Sequence, residues 1–237
     1  MLAVSARTRT IARDTADGMR IASTALSMAE ELGLDELRAH ALATIGLAKG
    51  GLGDASAGRR DMERALGIAL EIDSSVASAI VGNLAVDATF EGRLARTEEL
   101  YAEALRLAQR FGDGATVRFI RANQIWVGFM RGNWDSGLDG AGSFIAECEA
   151  GSPHTMEANL RLIRGTIRGA RGDSDGALAD HMRAVVLARE SNDPNQRVGT
   201  LTICATTHAR NAGTTTRQRR SSRSCYRFSV STVRTER

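Results

Sequence analysis

Four Gly turns fall at a nearly constant step along the chain, Gly53-Asp54, Gly92-Arg93, Gly132-Asn133 and Gly172-Asp173, so the sequence repeats itself every 39 or 40 residues. A period of that length marks a helical solenoid, because each unit is too small to bury its apolar face alone and must stack on the next. Each turn follows a stretch rich in small residues and precedes an amphipathic one, which predicts two helices per unit. In the first unit the leading helix is expected over about Glu36 to Leu52, and the trailing helix sets Met62, Ala65, Leu66, Ala69 and Leu70 at the spacing of one helix face. The matching stripes are Tyr101, Ala104, Leu105 and Ala108, then Leu138, Ala141, Ile145 and Cys148, then Leu178, Met182, Val185 and Ala188. Upstream, Ala22, Ala25, Leu26, Ala29 and Leu32 read as the trailing helix of a unit whose start is missing or degraded.

Breakers recur between units at Gly33, Asp73-Ser74-Ser75, Gly112-Asp113-Gly114, Gly151-Ser152-Pro153 and Asn192-Asp193-Pro194. Ser152 and Asp193 each stand before a proline suited to a first helical turn, and Gln196 completes a capping-box pattern with Asp193. No sustained apolar and polar alternation competes with the helical reading. The expected fold class is all-α, a right-handed α-solenoid of antiparallel helix pairs with about ten helices. The expected domains are an N-terminal remnant over 1–13, a repeat domain over 14–213 and a distinct tail over 214–237.

The small and large positions of the units resemble the tetratricopeptide pattern. They map onto the first unit as Leu42, Ile45, Gly46, Gly58, Met62 and Ala65, and onto the second as Val81, Leu84, Ala85, Thr97, Tyr101 and Ala104. The unit exceeds the standard 34 residues, and the third unit carries Gln124 and Phe144 where smaller or apolar residues are expected. Long units rich in Ala, Leu and Arg resemble the sensor arms of bacterial LuxR-type transcription regulators and related signal-transduction ATPases. That resemblance spans about residues 15 to 212. It implies a regulatory or partner-binding arm, normally joined to an ATPase module and an output domain, neither of which this sequence shows.

Catalytic chemistries are excluded one by one. Lys49 is the sole lysine among 31 basic residues and follows Ala48, so no phosphate-binding Gly-Lys pair exists. Gly50-Gly51-Leu52-Gly53 has no preceding strand and reads as a helix end. A Gly-x-Ser-x-Gly nucleophile elbow is absent. Cys204 and His208 share a helix spacing without a second pair to complete a metal site. His181 is expected as a half-buried structural residue on the flank of its stripe, Tyr101 as core, and His40 and His154 at helix starts. We therefore expect a non-enzyme with no cofactor and no metal. Three widely spaced cysteines, Cys148, Cys204 and Cys225, fit a reducing compartment, and neither a signal peptide nor a membrane-spanning run appears, so a cytoplasmic bacterial protein is expected.

The tail departs from this composition. From Thr214 to Arg237 there is no Ala, Leu or Gly, and seven arginines against Glu236 carry about +6 of charge. One reading is a basic tail for nucleic acid or membrane; the other is an alternate reading frame that replaces the native continuation after Gly213. Subtracting +6 from the whole-chain +3 leaves residues 1–213 near −3, so nucleic acid is not the expected partner of the repeats.

One constellation stands out within the repeats. Arg161, Arg164, Arg168 and Arg171 recur on one face of the fourth leading helix, and the positions forty residues earlier are Arg121, Gln124, Gly128 and Arg131. The two rows are expected to form a basic patch, with Trp126 and Phe129 as apolar anchors at its margin, that takes a protein partner or an anionic effector. The competing expectation pairs these arginines with carboxylates of neighbouring helices.

Overall fold

The computed structural model describes residues 15–191 together with Thr200 and Cys204. Among the described residues there are nine helices and no strand: α1 (Thr15–Glu31), α2 (Asp35–Gly51), α3 (Ala55–Glu71), α4 (Val76–Phe90), α5 (Leu94–Arg110), α6 (Gly114–Met130), α7 (Trp134–Glu149), α8 (Glu157–Ala170) and α9 (Ser174–Glu190). The expected leading helix of the first unit is α2, displaced by one residue. The remnant at 1–13, the tail at 214–237, His208 and the capping box at Asp193 and Gln196 lie outside the described residues. The chain divides into two compact units after Gln124, within α6. In the first, each of α1 to α4 packs on the next, and α2 also touches α4; in the second, α7 packs on α8 and α8 on α9.

Each of the eight turns between these helices is closed by a residue of positive φ. Seven are glycines, at 33, 53, 92, 112, 132, 151 and 172; the eighth is Asp73, at φ 52°. The left-handed residue lets the next amide reach back to a carbonyl in the last helical turn, as Asp54 N does to Lys49 O at 3.0 Å and Asn133 N to Gly128 O at 2.9 Å. Only Gly adopts this conformation without steric cost, which is why the period is so plain in the sequence.

Small residues set the approach of helices within a pair. A methyl group on Gly46 would lie 2.6 Å from the Gly58 carbonyl oxygen, and one on Gly58 would lie 2.5 Å from that of Gly46, so α2 and α3 cross backbone to backbone. The same position recurs 119 residues later as Gly165 and Ala177, where a methyl on Gly165 would strike the His181 ring at 2.6 Å. His181 thus fills the place held by Met62 and Tyr101, and it is fully buried rather than half-buried on a flank. Tyr101 is core as expected, and burial raises its phenol well above the ordinary value, with a hydrogen bond to Thr89 acting in the opposite sense.

Two expectations shift in detail. The buried stripe of α9 is Ala177, Asp180, His181, Ala184, Val185 and Ala188, with Leu178 and Met182 only partly covered. The α8 helix begins at Glu157 rather than at Pro153. His154 turns inward instead: its ring meets Phe144 edge-on at 5.3 Å, and its Nδ1 accepts the Met156 N–H at 3.1 Å, which fixes a turn ahead of the helix.

Candidate functional site

The arginine row of α8 is held in register by the 3.6-residue period, which sets Arg161, Arg164 and Arg168 on one face. That face is turned toward α9, where Asp180 waits at 2% exposure. Arg164 grips Asp180 through both ends, Nε to Oδ2 at 2.9 Å and Nη2 to Oδ1 at 2.5 Å. Arg168 Nη1 reaches the same Oδ2 at 2.8 Å, and Arg161 Nη1 lies 3.6 Å from Oδ1. Arg161, itself 6% exposed, also donates to Glu157 at 2.8 Å and to Glu149 at 2.6 Å. Burial works against the Arg161 charge, but the hydrogen bonds to Glu149 and Glu157 outweigh it and raise its pKa.

This corrects the expectation of a row of guanidinium groups open to a ligand. Arg161 and Arg164 spend their donors on carboxylates within the unit, because an arginine buried between packed helices must be paired to offset its lost hydration. Arg168 is partly exposed while bound to Asp180. Arg171, the residue that ends α8, pairs with the exposed Asp135 at 2.7 Å. Arg131 is exposed at the end of α6, and Arg121 is half-buried in the first unit; each already makes contacts of its own.

The central residue, Asp180, carries no motif, yet the repeat contains its signal. Arg168 and Asp180 stand 119 residues after Lys49 and Asp61, and that earlier pair is also formed, with Nζ 2.5 Å from Oδ2. The ion pair between leading and trailing helix therefore recurs in the first and fourth units. Ala88 with Leu100, and Gly128 with Gly140, replace it in the units between.

The margin of the expected patch is better defined than the patch. Trp126 lies 6.2 Å from Phe129 centroid to centroid, and Phe129 stacks on Trp134 at 6.4 Å and 18°. All three are half-buried. Trp134, the first residue of α7, was not singled out in the sequence; an aromatic directly after Gly132-Asn133 is the feature that marks it. Arg131 falls between the second and third rings in sequence, and Asp135 joins the Arg171 side chain to the same helix start. Among the described residues no group of three or more His, Cys, Asp or Glu could hold a metal ion, and no helix is long and apolar enough to cross a membrane.

Comparison with solved structures settles the fold class. BtubC (BKLC) from P. vanneervenii is similar with a TM-score of 0.66 at 16% identity, covering 91% of this chain and 89% of that one. Rap protein complexed with Competence and Sporulation Factor gives a TM-score of 0.70 at 14% identity, covering 97% of this chain but only 62% of Rap. A putative kinesin light chain of Podosopora anserina with nearly identical TPR-like repeats gives 0.54 at 11% identity, over 80% of this chain and 93% of that one. The fold is a tetratricopeptide-like helical repeat. No family model and no curated protein matches the sequence.

Proposed function

We propose that this chain is a non-catalytic binding arm of a bacterial regulatory or signalling protein, akin to the repeat arms of LuxR-type regulators. It takes an acidic protein segment, or a small anionic effector of the same chemistry, at the aromatic cluster of the second unit. The observation that carries this reading is the trio Trp126, Phe129 and Trp134, half-buried and bordered by the exposed Arg131 and Arg171. Half-exposed aromatic surface offers apolar contact at little entropic cost, and flanking guanidinium groups give a carboxylate paired hydrogen bonds. The Rap structure supports the reading at the level of fold, since that protein, of similar fold, is complexed with Competence and Sporulation Factor.

The test uses a property of the sequence itself. The chain has two tryptophans, and both belong to this cluster. Titration with a poly-glutamate peptide is expected to change the intrinsic tryptophan emission, to saturate, and to weaken as salt rises. The Arg131→Glu/Arg171→Glu variant should lose at least about tenfold in affinity with its helicity unchanged. An emission that does not respond to the peptide, or responds equally in the variant, overturns the assignment.

A further inference from the structure

A second surface lies on the first unit, at the edge where α1 turns into α2 and α3 into α4. Met28, Leu32, Leu34, Leu37, Leu70 and Ile72 are all exposed there, Leu32 at 67%. The two turns are neighbours, because Ser74 in the second donates to Glu36 in the first turn of α2 at 3.3 Å. Of the large apolar side chains exposed among the described residues, these six make one group, and Leu52, Phe90 and Met130 lie at other turns. Large apolar side chains gathered at two adjoining turns make this edge a candidate interaction site.

The rim of that edge is negative. Asp35 is paired with Arg38 and Asp73 with Arg110, which leaves Glu30, Glu31, Glu36 and Glu71 without an ion-pair partner among the described residues. Glu30, Glu31 and Glu71 stand in the last turns of α1 and α3, and neither helix has a basic residue there. The carbonyl end of a helix is already negative, so acidic residues in the last turn oppose the dipole. Lys49, Arg110, Arg168 and Arg189 stand in the last turns of α2, α5, α8 and α9, whereas α4, α6 and α7 have no basic residue there and α7 also ends on Glu147 and Glu149. The first unit thus keeps an electrostatically unfavourable arrangement around its exposed leucines, and a cationic partner would relieve it.

We propose that this edge docks an amphipathic basic helix of a partner protein, leucine-like side chains seated among Met28, Leu32, Leu34, Leu37, Leu70 and Ile72 and Lys or Arg flanks over the four glutamates. The assignment rests on the reading of the chain as a binding scaffold but uses a surface separate from the aromatic cluster. Its test employs the full chain and a labelled synthetic helical peptide of about five turns, leucine on one face and lysine on its flanks, beside a twin with glutamate flanks. The basic peptide is expected to bind at least about tenfold more tightly than the twin, and less tightly in high salt. Leu32→Asp/Leu37→Asp should remove at least about tenfold of that affinity. Glu30→Lys/Glu31→Lys/Glu71→Lys should reverse the preference between the peptides while raising the melting temperature, which keeps the test meaningful should the leucine variant unfold. Arg131→Glu/Arg171→Glu should bind the basic peptide as the parent does, so that failure at the aromatic cluster and failure here are told apart. Equal binding of both peptides, or binding unaffected by either variant, overturns the proposal. Self-association abolished by Leu32→Asp/Leu37→Asp would make a second copy the occupant and overturn it as well.

Discussion

Asp180 neutralises three arginines from a position with almost no access to water, so its charge matters more than its size. Replacing it with Asn preserves the shape and leaves Arg161 and Arg164 with too few counter-charges. Asp180→Asn should cost about 3–5 kcal/mol, read as a drop in the denaturant midpoint. The repeat supplies an internal control, because Asp61 holds the same position against Lys49, whose side chain is 37% exposed. Asp61→Asn should therefore cost about 1 kcal/mol or less. Equal losses at the two sites would show that burial does not decide the value of the pair. Glycines invite a parallel contrast. Gly46→Ala drives a methyl group into the Gly58 backbone and should cost about 1–3 kcal/mol or more, whereas Gly67, with open space around it on α3, should gain about 0.5–1 kcal/mol when changed to Ala. Gly46 and Gly58 were legible because the repeat pattern places small residues there. Asp180 was not, because a lone acid in a helix of mixed composition reads as a solvated residue until its partners are known.

Turns and helix ends account for most of what the sequence revealed at the scale of elements. Left-handed glycines announce themselves by residue type, and the eight turns fall where the breakers stand. The capping acids were less visible. Asp54 accepts the Ala57 N–H at 3.0 Å, Asp113 that of Thr116 at 3.0 Å and Asp173 that of Gly176 at 2.8 Å, a device signalled only by an acid directly after the turn glycine. Ser152-Pro153 misled for the opposite reason: a capping residue before proline is a local signal, and the tertiary contact of His154 with Phe144 displaced the helix start. Asp73 is the exception among the turns, since its side chain pays a steric penalty at φ 52°. Asp73→Gly should raise stability by up to about 1 kcal/mol, reduced slightly by loss of the exposed Arg110 pair. A melting temperature that falls would show that the pair outweighs the strain. Helix-to-helix ion pairs also set a pH dependence. The hydrogen bond from Arg59 is the largest influence holding the Glu91 carboxyl below its ordinary value; burial opposes it, and the hydrogen bond from Arg93 adds to the lowering. Its contribution is fully present above the ordinary carboxylate range and is lost as pH falls through the lowered value. The parent should melt above Glu91→Gln at pH 7, with the difference closing below about pH 4. A gap that persists in acid would assign the effect to packing.

At the scale of the whole molecule, periodicity conveys architecture far better than it conveys function. The spacing of turns fixes which positions are small, which are apolar and which helices pair, since every unit repeats the same packing problem. Binding surfaces escape that logic because the repeat places a residue without saying whether it is covered: Leu32 recurs as Ile72 and Phe111 before successive turns, and Trp134 stands where the flanking units carry Leu94 and Ser174. The arginine row shows the hazard directly, for its regular spacing looked like an open surface, yet Arg161 and Arg164 are taken up by carboxylates between the packed helices. Repeat packing also shapes how damage spreads. Because each helix pair is stabilised by its immediate neighbours, loss in one pair should remain local rather than lower protection uniformly along the chain. Gly46→Ala is therefore expected to speed amide hydrogen exchange in α2 and α3 and leave α8 and α9 slow, and Asp180→Asn to do the reverse. Both variants lie in packed pairs of equivalent register, so the comparison does not depend on which is the more severe. Uniform acceleration in both units by either variant would show that the chain opens as one cooperative block, and the description of its stability as a sum of neighbouring pairs would fail.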